Sequence, residues 1–499
     1  MRLEPGSGSL VIVGANDYPA GVLATERVLR QGAGSLLAGT RRFWEDFTRR
    51  RLKAKPLPPN VPSDCAEVLD GIAVLLKAQQ AAEGPTIIGW HAPMAYIRDL
   101  YGGARGMLAL GLFEEARASL QFRFQKFQRF GDLRTAEFIG TDCARHTYND
   151  EVEGPAYVIL QARDYLRATR DGATVKKLWP MLAWCWSAQK RQLARGLLPF
   201  NGDETYIPYG LFPIEGELQG SADTTLAFIA SGEWLIEWAQ RQGFWTRKQC
   251  DLERRLVQDS RTAYRRWFVD RDRIWANAPE REQWIDPPRF RHNACQGCRA
   301  VVTWIERSPN GRYLCPDCFG KSFPPPQSPG RLTLNSVSLL PDYLGVDILT
   351  AAERRAVAER ILTRARPNGG IPTANAEDIG AESANRVVGA AGGGVAGRLG
   401  DLCVGYDPGL LLLTLSRLNH AAAPAAYRRM LRMVDSAGAW NEYYDGGDRP
   451  VPRSIRANVW ASGINAAVLL EYLSRTESSR TERSVEPVER SNRNRHDSK

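Results

Sequence analysis

From Ser63 onward, apolar residues recur at the spacing of a helix face. In SDCAEVLDGIAVLLKAQQ, Val68, Ile72, Leu75 and Leu76 align behind an acidic, capped start, which is the pattern of an amphipathic helix. Twelve such segments can be read, near 63–82, 95–111, 113–130, 151–170, 173–195, 221–242, 246–268, 331–344, 350–365, 407–418, 424–435 and 454–474. Strand signals between them are few. The odd-numbered segments have a wet side: TAAERRAVAERILTRA opens on a Thr350/Glu353 capping box and sets Val357, Ile361 and Leu362 opposite Arg354, Arg355, Glu359 and Arg360. The later even-numbered ones, DPGLLLLTLSRL and NVWASGINAAVLLEYL, are apolar nearly all round, which suits helices buried on every side. Pro180 falls inside the fifth segment and predicts a kink or a displaced boundary there.

The connections alternate as well. Links from even to odd segments are short (LFEE, RDGA, RQGFW, GVDIL, NHAAAP), whereas odd-to-even links are long and rich in Gly, Pro, aromatics and acids. All the long loops therefore gather at one end. Six outer helices alternating with six inner ones predict an all-α fold, an (α/α)6 barrel or six-hairpin toroid, with the site on the elaborated face. An α-solenoid would repeat at a fixed length, and these pairs share none. The expected organisation is a lead-in over residues 1–62, the barrel over 63–474 and a polar, disordered tail over 475–499. The lead-in holds strand-like Leu10-Val11-Ile12-Val13, basic RRFWEDFTRRRLKAK and one or two short helices.

The most specific local motif lies between the seventh and eighth helices. Cys295-x2-Cys298, sixteen residues, then Cys315-x2-Cys318, around the turn residues Ser308-Pro309-Asn310-Gly311, gives four thiolates at tetrahedral Zn2+ spacing. A zinc ribbon inserted over 288–326 is expected. Four thiolates close the coordination sphere, so the Zn2+ is structural and leaves no position for substrate or water. Sitting in an odd-to-even link, the ribbon should stand on the loop face, walling the cleft or contacting a protein partner.

Composition narrows the class. A chain of 499 residues is too long for one ordinary core unless it is a large barrel or several domains. The net charge of +10 is spread along the length, and stretch 291–321 carries five basic residues to two acidic with no aromatic-basic interleaving, so nucleic acid is not an expected partner. No apolar run approaches the roughly 18 residues of a membrane span, and no segment has the build of a secretory signal, so no membrane contact and a cytoplasmic location are expected. Five scattered cysteines, Cys65, Cys143, Cys185, Cys250 and Cys403, read as reduced and buried. The five histidines, His91, His146, His292, His420 and His496, show no ligand spacing beyond an outer contact open to His292 beside the ribbon. Gly-rich AAGGGVAGRLG follows no clear strand and lacks a Lys-Ser/Thr ending, so it reads as a loop over the barrel mouth and not as a phosphate cradle.

Candidate chemistry centres on Gly202-Asp203-Glu204-Thr205-Tyr206, between the fifth and sixth helices. Two adjacent carboxylates among Tyr206, Tyr209 and Phe212 suit protonation of a leaving group inside an apolar, sugar-binding cleft. A polar loop that caps the next helix is the plainer reading.

The helix order and loop content resemble the six-hairpin glycosidases, especially bacterial glucoamylase-like and glycogen-debranching-like proteins, over about residues 63–474. The pieces that carry the resemblance are AYIRDLYGGARGMLALGLFEEARASLQF, NDEVEGPAYVILQARDYLRATRD, GLLPFNGDETY and GAWNEYYDGGDRPVPRSIRANVWASG, in that order. It implies a glycoside hydrolase of the glucoamylase or debranching kind, acting on an oligosaccharide or glucan. Its general acid lies in the fifth-to-sixth-helix loop, matched by Glu204 or Asp203, and its base in the last long loop, matched by Glu442. Arg98-Asp99 resembles the pair that holds hydroxyls of the terminal sugar. Relatives often carry a β-sandwich where this chain has about sixty N-terminal residues.

Residue chemistry points the same way. Inversion needs two carboxyl groups about 6.5–9.5 Å apart, one protonated and one ionised, and so two loops converging over one cavity. Tyr206 and Tyr209 flank Glu204, while Trp440, Tyr443 and Tyr444 flank Glu442; such rings can stack on apolar sugar faces. Trp90 and Tyr96 extend that platform, with packing at helix ends as the alternative for each ring. Asp150, Glu151 and Glu153 read as a first-turn cluster favoured by the helix dipole, of which one can line the pocket. Two other functions fit the same features: a carbohydrate phosphorylase on the same barrel, which Glu442 at the base position disfavours, and a non-catalytic scaffold that displays the zinc ribbon.

Overall fold

A computed structural model describes residues 18–90, 92–145, 149–201, 219–284, 293–294, 301–302, 306–307, 313–314, 331–374, 387–388, 397–452 and 454–485. The chain divides into two units, residues 1–56 and 57–499. The first holds helices α1 (Tyr18–Gln31) and α2 (Ala33–Ala54), joined at Gly32, whose φ of 71° suits a residue without Cβ. At 22 residues, α2 is longer than the short helix expected from the sequence. Leu10-Val11-Ile12-Val13 lies outside the described residues.

The second unit holds thirteen α-helices among the described residues: α3 (Ser63–Ala78), α4 (Ile97–Ala109), α5 (Phe113–Phe130), α6 (Glu153–Thr169), α7 (Gly172–Lys177), α8 (Trp179–Arg191), α9 (Ala222–Arg241), α10 (Arg247–Trp267), α11 (Asn335–Leu344), α12 (Ala351–Thr363), α13 (Asp407–Arg417), α14 (Ala423–Arg432) and α15 (Val459–Val485). Short α7 and α8 together fill the fifth predicted segment. Pro180 lies in the first turn of α8, where its missing N–H costs nothing, so the helix breaks before it instead of kinking around it. The predicted capping box is present: Glu353 N–H donates to Thr350 Oγ1 at 3.2 Å and Thr350 N–H to Glu353 Oε2 at 2.8 Å. The last segment starts at Val459 and continues to Val485, so residues 475–485 are helical and not part of a disordered tail.

The even-numbered segments form a closed inner ring. α4 packs on α6, α6 on α9, α9 on α11, α11 on α13, α13 on α15, and α15 back on α4. Around them, α3, α5, α8, α10, α12 and α14 each lie against inner helices. This is the (α/α)6 barrel. Its tightest contact joins α4 to α15, where a Cβ built on Gly106 would stand 2.5 Å from Gly463 Cα and one on Gly463 would stand 2.3 Å from Gly102 O. Aromatic stacking fills the seam of α8 and α9, with Trp186 and Phe228 centroids 4.5 Å apart and planes at 4°.

Short antiparallel ladders stitch the odd-to-even loops to one another. Residues 94–96 pair with 136–138, residues 220–221 with 277–278, and residues 403–404 with 443–444. Each ladder joins two loops that enter inner helices, so the elaborated connections gather over the N-terminal ends of the inner ring.

Candidate active site

Every inner helix starts with a buried polar side chain at that end. Arg98 and Asp99 open α4, Glu153 opens α6, Asp223 opens α9, Asn335 and Ser336 open α11, Asp407 opens α13, and Asn458 immediately precedes α15. Carboxylates gain from the positive end of the helix dipole and from the free N–H groups of the first turn. Here four of them share one mouth with the guanidinium of Arg98.

Arg98 is the hub. Its Nη1 donates to Glu153 Oε1 at 3.2 Å and to Oε2 at 3.0 Å, and its guanidinium lies 5.5 Å from the Tyr96 ring centre and 5.0 Å from that of Trp460. Trp460 in turn stacks on Tyr406, the residue before α13, at 4.5 Å. Asn201 Nδ2 donates to Glu153 Oε2. Asn458 Nδ2 reaches Asp99 Oδ1 at 3.4 Å, Ser221 Oγ donates to Asp223, and Thr373 Oγ1 donates to Asp407 Oδ2 at 3.1 Å.

Burial sets the protonation states. It lifts Asp99 to about 7, against the opposing pull of Arg98, and lifts Asp407 to about 7, against the hydrogen bond from Thr373. Burial alone would lower Arg98, but Glu153 and Asp99 outweigh it and hold the guanidinium firmly charged. At the rim, burial would raise Glu151, yet hydrogen bonds from Arg191 and Gln192 keep it below the usual range.

A pH effect on stability follows. Asp99 and Asp407 stay protonated in the folded chain between pH ~4 and ~7, where an unfolded carboxyl is ionised. The folded state binds more protons in that window, so stability should fall as pH rises through it, by up to about 1.4 kcal/mol per pH unit for each group, and level off above. Denaturant midpoints measured from pH 5 to pH 8 check this, with Asp407→Asn expected to flatten the slope. Equal midpoints across the range in the wild type would contradict it.

Of the described site residues expected from the sequence, Arg98, Asp99 and Tyr96 lie together at the start of α4. Glu442 sits in the loop before α15; its N–H donates to Ile455 O at 3.0 Å and its carbonyl accepts from Gly405 N–H at 2.7 Å, two residues before Asp407. Its side chain is half-buried, and its backbone ties this loop to the segment just before α15 and to the loop before α13. Tyr443 is half-buried against Leu402 and Val451, Tyr96 is buried beneath Arg98, and Trp90 is 55% exposed on the loop before α4. Trp440 corrects the expectation: its ring is fully buried and its indole N–H donates to Met430 O at 3.1 Å, so it is core and not a sugar platform. Cys143 is likewise exposed, whereas the other four scattered cysteines are buried. Asp203, Glu204 and Tyr206 lie outside the described residues, as do Cys295, Cys298, Cys315 and Cys318.

Sequence reading underweighted Glu153 and missed Asp223, Asp407, Tyr406 and Trp460. The signal was present as an acid in the first turn of successive dry helices, in SAD and DPG, where core packing alone would ask for none.

No family model matches the sequence, and no curated protein matches it. Solved structures do match the fold. A structure titled "Glycosidase Wild Type" aligns with 83% of this chain and 100% of its own at a TM-score of 0.54 and 11% identity. A GH63 mannosylglycerate hydrolase from Thermus thermophilus, in complex with glucose, aligns over 82% and 99% at 0.50 and 12%. A rhamnosidase from Klebsiella oxytoca with rhamnose bound aligns over 85% and 66% at 0.50 and 13%. What this chain shares with these glycosidases is the helical-barrel fold.

Proposed function

We propose that the chain is a glycoside hydrolase that cleaves O-glycosidic bonds of an oligosaccharide or glucan with inversion. One observation carries the reading: buried carboxylates and Arg98 ring the mouth of an (α/α)6 barrel, and the loop bearing Glu442 closes on the same mouth. In this reading Glu204, or Asp203 beside it, protonates the leaving oxygen, and Glu442 draws a proton from the water that attacks the opposite face of the ring. Arg98 and Asp99 hold hydroxyls of the sugar, and Trp90, Tyr96, Tyr206 and Tyr443 supply its apolar contacts. A phosphorylase would need a cation open to phosphate, but the guanidinium of Arg98 is already bound through Nη1 by the Glu153 carboxylate. A panel of α- and β-linked disaccharides and glucans tests the choice. Sugar release in phosphate-free buffer is expected; release only with inorganic phosphate would indicate phosphorolysis, and salt-sensitive DNA binding without release would indicate a scaffold.

Cys295, Cys298, Cys315 and Cys318 would hold one structural Zn2+. Residues 293–294 pair with 301–302 around the first knuckle, and 306–307 pair with 313–314 just before the second, a hairpin frame that fits the four-thiolate set. The metal would cross-link this insertion and supply no catalytic chemistry. Elemental analysis should find about one zinc per chain, and a strong chelator should release it together with titratable thiolates and local order. Metal-free protein with all four thiols reactive under native conditions would contradict it.

A further inference from the structure

Glu153 binds two partners that come from different elements of the barrel mouth. It receives both contacts of Arg98 Nη1, at 3.2 and 3.0 Å, and the amide of Asn201, and all three side chains are buried. Arg98 Nε is buried with no hydrogen-bond partner, and the guanidinium is flanked by the rings of Tyr96 and Trp460. The guanidinium thus has a fixed plane and one satisfied edge, with donors left over for a ligand.

Asn201 is itself fixed. Its carbonyl accepts from Asn149 N–H at 3.1 Å, Pro199 O accepts from Thr224 Oγ1 at 2.9 Å, and Ser221 N–H donates to Leu198 O at 2.8 Å. Arg281 donates to Leu197 O at 3.2 Å and Gln192 O at 2.7 Å. Leu197 to Asn201 is therefore a rigid stem whose end is joined by one amide to the carboxylate that holds Arg98.

We infer that Glu153 is a positioning residue that fixes the guanidinium of Arg98 for the sugar and, through Asn201, registers the stem of the Asp203/Glu204 loop against that guanidinium. The inference rests on the glycosidase reading and adds to it a residue that touches no reacting atom. Glu153→Gln with its oxygen at the Oε2 position keeps the Asn201 amide and one Arg98 contact, but it sets its own amide against Arg98 Nη1 at the Oε1 position and removes the charge that holds the guanidinium. Asn201→Ala removes the amide that links clamp and stem and leaves the Glu153 carboxylate on Arg98.

The experiment is a double-mutant cycle on the full chain, read as kcat and KM with a hydrolysed substrate from the panel above. Glu153→Gln should raise KM and lower kcat/KM by about 10–10²-fold, the usual cost of breaking a bond to a buried charge. Placed on Arg98→Gln, the same change should add less than about threefold, because the two act as one unit. Asn201→Ala should slow substrates with poor leaving groups by about 10²-fold while activated aryl glycosides lose far less, since a displaced acid matters only where protonation is needed. That ratio is taken within one sample, so it is independent of how much protein is folded. Additive losses in the cycle, or equal losses on both leaving groups, would overturn the inference while leaving the hydrolase standing. A wild type that cleaves none of the substrates would overturn both.

Discussion

Glu442→Gln should lose turnover on all substrates alike, by at least about 10²–10⁴-fold, because the proposed mechanism assigns no other group to draw the proton from the attacking water. The backbone of Glu442 is held from both sides, by Ile455 O and Gly405 N–H, so the amide variant keeps its position and the loss can be assigned to charge. Azide should restore part of the rate from the opposite face of the sugar. Glu204→Gln removes the transferable proton but keeps the shape, so its loss of about 10²–10⁴-fold should shrink for leaving groups that need no protonation. If Asp203→Asn shows that dependence instead, the acid is Asp203. Uniform small losses in all three variants would remove the carboxylate mechanism.

The second large effect concerns the barrel itself. Gly463→Ala should destabilise the chain by about 3 kcal/mol or more, at the upper end of overpacking costs, because the new methyl meets Gly102 O at 2.3 Å and Gly103 Cα at 2.8 Å. Backbone cannot swing aside as a side chain can, so α4 and α15 must separate. Arg98 and Asp99 lie on α4 and Asn458 immediately precedes α15, so activity should fall with stability. Gly39→Ala in α2, where the added methyl meets nothing within 4 Å, is the control and should be neutral or stabilising by up to about 1 kcal/mol. Denaturant midpoints compare the two, and a Gly463→Ala midpoint equal to that of the wild type would refute the tight seam.

The ring of twelve helices was legible because wet and dry helices alternate strictly along the chain. A helix such as α13, with Leu410 to Leu413 all buried, has no place except inside a ring. Capping was legible where it is local, as at Thr350 and Glu353. Residues whose role depends on distant partners were not. Glu153 has the spacing of any first-turn acid, and only the return of Arg98 from α4 and Asn201 from the stem distinguishes it. Trp440 failed in the opposite direction: its neighbours in sequence are site residues, but its ring turns into the core to meet Met430 O. The sequence pattern carries periodicity well and side-chain direction in loops poorly.

The most direct test of the account is the configuration of the first sugar released, followed by proton NMR before mutarotation scrambles it, with phosphate-free buffer and a substrate of known anomer. Inversion by two separated carboxylates predicts the opposite anomer at the start of the reaction. Release of the same anomer as the substrate, or no release without inorganic phosphate, would contradict it.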